Sequence, residues 1–151
     1  MTSIPIPARA LTPYICCRDA AQAIEFYKEV FGAVEIMRLT EPGGRIGHAE
    51  LRIGEDGLML SDEYPEMGVK GPLAIGGTPV TLHLYVADAD AVVTRAVAAG
   101  ANVASPVQDQ FYGDRAGTIV DPFGHRWNIG TRQEVVSAEQ MSERFRHMTK
   151  G

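Results

Sequence analysis

The chain has two cysteines in 151 residues, and they are neighbours, Cys16 and Cys17. On a strand, adjacent side chains point to opposite faces, so the pair is no disulfide framework, and two thiols alone cannot complete a zinc site. No apolar run approaches membrane-spanning length, and Met1 to Ala10 hold neither an apolar signal core nor an Arg-rich amphipathic helix. These absences predict a cytoplasmic protein that does not engage a membrane. Positive charge is also scarce: 14 Lys and Arg stand against 19 Asp and Glu, for a formal charge of −5. Such a field repels phosphate backbones, which argues against nucleic acid as a partner. What is present is ordinary for a globular protein, 45% hydrophobic and 22% charged, at the length of one domain that can bury its own core.

The most legible stretch runs from Thr118 to Gly130 and reads as strand, tight Asp121-Pro122-Phe123-Gly124 turn, strand. Pro122 pre-sets the turn and Gly124 supplies the backbone freedom to close it. Beyond the turn, alternation puts His125, Trp127 and Ile129 on one face, suited to packing against helices. Arg126 and Asn128 take the other face.

Upstream, a strand over Leu11 to Cys17 leads to Asp19, a cap for a helix with Ala20, Ala23, Ile24, Tyr27, Val30 and Phe31 at helical spacing, closed by Gly32. Val34 to Thr40, Ile46 to Ile53 and Leu58 to Asp62 read as three strands. The second of these alternates Ala49, Leu51 and Ile53 with His48, Glu50 and Arg52. The same order then returns: strand Thr81 to Val86, helix capped by Asp88 and ended by Gly100, a strand near Asn102 to Ser105 broken by Pro106, and the final hairpin. The two helix-ending glycines lie 68 residues apart, and Gly57 and Gly124, in corresponding hairpin turns, 67 apart. This spacing indicates an internal duplication of a βαβββ unit.

The predicted organisation is thus a single domain over 1–151: module 1 at about 11–62, a linker at 63–79, module 2 at about 80–131, and a C-terminal helix at about 137–149. The linker is rich in Gly and Pro, with Leu73 and Ile75 as expected apolar anchors, and reads as a connector or as a flap over a ligand cavity. The last helix opens on a capping box, Ser137 and Gln140, and carries a stripe of Met141, Phe145 and Met148 suited to packing or to a partner subunit.

With Ile24-Glu25-Phe26-Tyr27 in the first helix and Asp121-Pro122-Phe123-Gly124-His125-Arg126 in the last hairpin, the two modules resemble the vicinal oxygen chelate superfamily of glyoxalase I, extradiol dioxygenases and bleomycin-binding proteins. Three further segments, His48-Ala49-Glu50-Leu51, Leu82-His83-Leu84-Tyr85-Val86 and Phe111-Tyr112-Gly113-Asp114-Arg115, are most similar to its PhnB-like branch. The resemblance implies an α+β fold in which two tandem βαβββ modules form a curled mixed sheet around a cup, with helices on the outer face. It also implies a homodimer. The chelating members' ligand positions, carried over, fall on Thr12, Ser61, Thr81 and Asn128. None is His, Glu or Asp, and hydroxyls with one carboxamide would not hold a divalent ion against water. No metal and no other cofactor is expected at those positions.

The remaining polar residues on the inward faces offer two chemistries. His48, Glu50 and His83 form a candidate catalytic set, as a general base with its orienting partner or as a displaced metal site. On strands such residues also serve structural or ligand-orienting roles. Glu50 and Arg52 share a face of one strand at roughly 7 Å, so Glu50's partner is expected from a neighbouring strand, with Arg126 a candidate. Asp114 and Arg115 are expected to order the loop before the hairpin, as an ion pair or a turn cap. Tyr14, Arg52, Tyr85, Phe111, Tyr112, Arg126 and Asn128 are candidate ligand contacts, the aromatic ones as stacking surfaces. Two functions stay open: a module binding a small organic molecule without a metal, or a lyase, isomerase or dioxygenase-type enzyme acting on a small oxygenated metabolite.

Overall fold

The computed structural model describes residues 3–149. The chain divides into two compact units, the first ending at Gly77 and the second beginning at Thr78. Each is a four-stranded mixed sheet with one main helix against one face, and together they make the α+β class expected.

The first unit runs β1 (Tyr14–Cys17), α1 (Ala20–Phe31), β2 (Val34–Thr40), β3 (Ile46–Ile53) and β4 (Asp56–Asp62), with sheet order β1-β4-β3-β2. The pairing β1·β4 is parallel and the other two are antiparallel. Asp19 caps α1 by accepting from the Gln22 N–H at 3.2 Å, and Gly32 ends it in the left-handed region at φ 69°, where a side chain would be strained. The three- and four-residue spacing of Ala20, Ala23, Ile24, Tyr27 and Val30 makes one buried stripe. The apolar phase of the strands, Ile15, Cys17, Ala49, Leu51, Leu58 and Leu60, is buried to match. Strand β1 is shorter than the apolar run suggested: Leu11 is 93% exposed, and pairing starts where the Pro13 carbonyl accepts from Met59.

Asp62 fastens this unit at its centre, since Oδ1 accepts from the Ala20 N–H at 2.7 Å and Oδ2 from the Ile46 N–H at 2.6 Å. One carboxylate thereby joins the start of α1 to the start of β3.

The segment after β4 is structured: a 3-10 turn at Pro65–Met67 and a short helix α2 at Pro72–Ile75. Its anchors differ from those expected. Leu73 and Ile75 are exposed, whereas Gly71 and Pro72 are buried. Gly71 lies so close to β1 that a Cβ there would sit 2.9 Å from the Cys16 carbonyl oxygen. Backbone proximity, invisible to a hydropathy pattern, holds the segment. An Arg18–Glu63 ion pair at 3.1 Å and the Arg45 guanidinium, 3.7 Å above the Tyr64 ring, add to it.

The second unit repeats the order with β5 (Thr81–Tyr85), α3 (Ala89–Ala98), β6 (Asn102–Asp109), β7 (Asp114–Val120), β8 (Arg126–Arg132) and a terminal α4 (Ala138–Thr149). Sheet order is β5-β8-β7-β6, again with a parallel first pair. Strand β6 continues through Pro106, which was expected to end it. It lies at the sheet edge, where a proline forfeits no ladder bond, and its register shifts on both sides of Ser105 absorb the irregularity. Thr131 plays the part of Asp62, accepting from the Ala89 N–H at 2.8 Å while donating to the Val86 carbonyl. The expected capping box of α4 forms reciprocally, Ser137 N–H to Gln140 Oε1 and Gln140 N–H to Ser137 Oγ, both at 3.2 Å.

At the Asp121-Pro122-Phe123-Gly124 turn, Gly124 has φ 89° as the closure requires. The organising group is Asp121, 3% exposed. Its Oδ1 accepts from the Phe123 and His125 N–H groups at 2.9 and 3.0 Å, and its Oδ2 from Trp127 Nε1 at 2.9 Å. His125, Trp127 and Ile129 are buried and Arg126 is exposed, as the alternation predicted.

Candidate functional site

The face of the first sheet opposite α1 gathers most of that unit's candidate residues. Register sets Tyr14 beside Met59 and Met59 beside Glu50, so neighbouring strands project these side chains to one side. The Tyr14 hydroxyl lies 2.8 Å from His48 Nδ1, and His48 Nε2 lies 3.4 Å from Glu50 Oε1. All three groups are satisfied when Glu50 accepts from Nε2–H and the phenol donates to Nδ1. Glu50 therefore finds a partner on its own strand, where one from a neighbouring strand was expected. Two residues apart on β3, the side chains lean together at their tips although their Cα atoms are roughly 7 Å apart.

Beside this chain of three lies a cavity of about 250 Å³ lined by Thr12, Ile36, Glu50, Arg52 and Met59, among others. Glu50 thus belongs to both. Ile36 lies where the β2 register shifts between Glu35 and Met37, and it is 54% exposed. Arg52 has no ion-pair partner among the described residues, unlike Arg9, Arg18, Arg38, Arg45, Arg115 and Arg144. Cys16 shares this face, with its thiol pushed up to about 11 by burial first and by Glu63 and Asp62 next. At neutral pH it is a thiol and a poor nucleophile.

The second sheet presents a different cluster. Asn128 Nδ2 lies 2.9 Å from His83 Nδ1, so the amide N–H donates and the ring proton resides on Nε2. The His83 and Tyr85 rings meet edge to face at 4.7 Å. The Tyr85 hydroxyl donates to Asp114 Oδ2 at 2.7 Å and accepts from Arg132 at 3.3 Å. That last bond holds the Arg132 guanidinium above its ordinary pKa. Asp114 and Arg115 do not pair with each other, because alternation sends them to opposite faces. Arg115 instead binds Asp90 at 2.7 Å and Asp109 at 3.2 Å.

Phe111 packs its ring against Tyr112 at 5.2 Å and against Phe145 of α4 at 5.6 Å, and its carbonyl accepts from Arg144. Arg126 is exposed beside Thr81. The residues that sequence reasoning did not single out are Asp121, Ile36 and Arg132. Arg132 had a signal, since it continues the Arg126 and Asn128 alternation.

The residues at the chelate positions are all neutral side chains, two in each unit. Along the β1·β4 pair, Thr12 lies against Gly57 while Ser61 pairs with Cys16, four residues further, roughly 13 Å away. Ser61 is 4% exposed and donates to the Asp62 carbonyl. Thr81 pairs with Arg126, and Asn128 is committed to His83. Four neutral donors lack the charge a divalent ion demands. No group of three His, Cys, Asp or Glu side chains converges among the described residues.

Residues 9–129 match the family model of the Glyoxalase/Bleomycin resistance protein/Dioxygenase superfamily. The chain belongs to that superfamily. Within and around it, an uncharacterised protein of Mycobacterium tuberculosis is 46% identical over 135 residues, covering 87% of this chain and 79% of its own. The crystal structure of TioX from Micromonospora sp. ML1 is 27% identical with a TM-score of 0.64, covering 81% of this chain and 97% of TioX. A PhnB protein from Bacillus cereus, described as a putative 3-demethylubiquinone-9 3-methyltransferase, has a TM-score of 0.66 at 16% identity, covering 80% and 98%. At that identity the likeness is one of fold. Superfamily membership accounts for the paired βαβββ units, and among the described residues no helix is long and apolar enough to cross a membrane.

Proposed function

We propose that the protein binds a small organic molecule on the open face of its first sheet, without the divalent ion of the superfamily's chelating members. The observation that carries this reading is the cavity of about 250 Å³ in which an unpaired Arg52, the Glu50 carboxylate and the apolar Ile36 and Met59 face one space. Ligand sites are concave, mostly apolar, and furnished with a few convergent polar groups. At this size the cavity suits a compact ligand or one part of a larger one. Arg52 offers a planar fork for an acidic group, and Ile36 with Met59 offers a surface for an apolar body.

A second reading is favoured by one specific observation, the Tyr14–His48–Glu50 chain. In an acid–base enzyme Glu50 would hold the imidazole and stabilise its cation. The phenol would pass its proton to His48 Nδ1 as its oxygen takes a proton from substrate.

One set of experiments separates the two. Thermal-shift and calorimetric screening of a library of small carboxylates, phenols and aromatic antibiotics should yield a ligand that Arg52→Ala weakens at least tenfold. Tyr14→Phe should leave that affinity within about threefold. A ligand that the wild type converts to product, and Tyr14→Phe does not, would establish the enzyme reading. Elemental analysis of protein purified without chelator, before and after incubation with Zn²⁺, Ni²⁺, Mn²⁺ and Fe²⁺, tests the metal. A stoichiometric retained ion lost in His48→Ala would overturn the metal-independent reading.

A further inference from the structure

A second cavity belongs to the other unit and is independent of the function proposed above. Asp114 is 2% exposed, yet its carboxylate receives a single protein donor among the described residues, the Tyr85 hydroxyl on Oδ2. By contrast, Asp121 accepts from the Phe123, His125 and Trp127 N–H groups, and the part-buried Asp62 from those of Ala20 and Ile46. Carboxylates removed from water normally fill their acceptor capacity. No sealed side-chain oxygen in the described residues lacks a partner. The second Asp114 oxygen is therefore not sealed, and Asp114 lines a cavity of about 240 Å³.

Arg132 stands directly across the β7·β8 ladder from Asp114 and lines the same cavity. One nitrogen of its guanidinium bonds the Tyr85 hydroxyl, and the group lies 5.0 Å from the ring centroid, which leaves its other N–H donors for a ligand. It has no ion-pair partner among the described residues. Glu134, also on the cavity, is committed to Arg144 at 2.7 Å. Tyr112, Val136 and Met141 supply an apolar wall.

The rim is firmly built. Gly113, at φ 94°, accepts from both the Gln133 and Glu134 N–H groups, and a Cβ there would lie 2.7 Å from the Glu134 carbonyl oxygen.

We infer that this cavity binds a zwitterionic ligand of amino-acid size. Its ammonium would meet the open oxygen of Asp114, its carboxylate would meet Arg132, and its side chain would lie against Tyr112, Val136 and Met141. A simple amine would leave Arg132 unpaired and be repelled by it. A simple carboxylate would meet the same difficulty at Asp114. Only a ligand carrying both charges a few ångströms apart answers both groups. The volume, below the roughly 300 Å³ at which pockets for drug-sized ligands begin, suits about one amino acid.

The test is titration calorimetry of the full chain at neutral pH with the twenty L-amino acids. Each that binds is then compared with its decarboxylated amine and its deaminated acid. At least one apolar amino acid should bind, with both analogues at least tenfold weaker. Asp114→Asn, which keeps an acceptor for Tyr85, and Arg132→Gln should each weaken binding at least tenfold, while binding of any ligand of the first sheet stays unchanged. The inference is overturned if none of the twenty binds, if the amine or the acid binds as well as the amino acid, or if the folded variants bind like the wild type. Arg132 is exposed, so its variant decides the matter should Asp114→Asn fail to fold.

Discussion

Replacing Asp121 by alanine would orphan three N–H donors at once. Phe123, His125 and Trp127 are 8%, 9% and 4% exposed, and their bonds to the carboxylate measure 2.9 to 3.0 Å, so all three donors lose a well-formed acceptor in a buried setting. A buried donor left without an acceptor costs about 1–3 kcal/mol, which places the loss at about 3 kcal/mol even at the low end. A domain holds about 5–15 kcal/mol in total. In a chain of this length each kcal/mol moves the melting temperature by about 2–4 °C, so the variant should melt about 6–12 °C lower. Asp121→Asn divides the effect. Its carbonyl oxygen still serves the two backbone donors, and only the contact with Trp127 becomes donor against donor, so the loss should fall to about 1–2 kcal/mol. Trp127, the chain's single tryptophan, reports both through its fluorescence during urea unfolding. An alanine variant within 1 kcal/mol of the wild type, or an asparagine variant as unstable as alanine, would refute this donor-by-donor reasoning.

Two further outcomes follow from close packing elsewhere. Cys16, with its pKa raised from 9.0 to about 11, should react with iodoacetamide at pH 8 on the order of 100-fold more slowly than in the unfolded chain, as mass spectrometry of its peptide would reveal. The sign is that of a raised acid: the protonated thiol is the favoured folded form, so its contribution is complete below pH 9 and disappears as pH rises through 11. Labelling at the free-thiol rate would contradict the burial assigned to it. Gly71→Ala should destabilise by about 1–3 kcal/mol, because the added methyl meets the Cys16 backbone and not a movable side chain. A urea midpoint unchanged from wild type would show that the connecting segment can lift from β1 at no cost.

Alternation and capping made most of the fold legible. The Asp19 and Asp88 caps, the glycine stops, the βαβββ order, the polar phase of β3 and the capping box of α4 could all be read from spacing, because each is a local rule. What escaped depends on residues far apart in sequence. Pro106 looked like a strand end because edge position is a property of the sheet. The segment around Gly71 was expected to be anchored by Leu73 and Ile75, because the backbone contact that holds it leaves no hydropathy signature. Glu50 was expected to look to a neighbouring strand because a Cα spacing says nothing about how two side chains lean. Asp121 read as a turn former, and its three donors, two in the turn and one on the following strand, become visible only when Trp127 folds back over it.

Asp62 and Thr131 do the same work with different chemistry. Each ties the first N–H of its helix to the last strand of its own sheet, so each half of the chain carries its own clasp. A duplicated segment equipped in this way can drift without waiting for its twin. The carboxylate in the first copy recruited β3 as a second attachment, whereas the hydroxyl in the second turned its proton back on the loop after β5. One sheet carries a Tyr-His-Glu chain and the other an Asp-Tyr-Arg group. Two descendants of one ancestral surface are free to become specialists in different molecules.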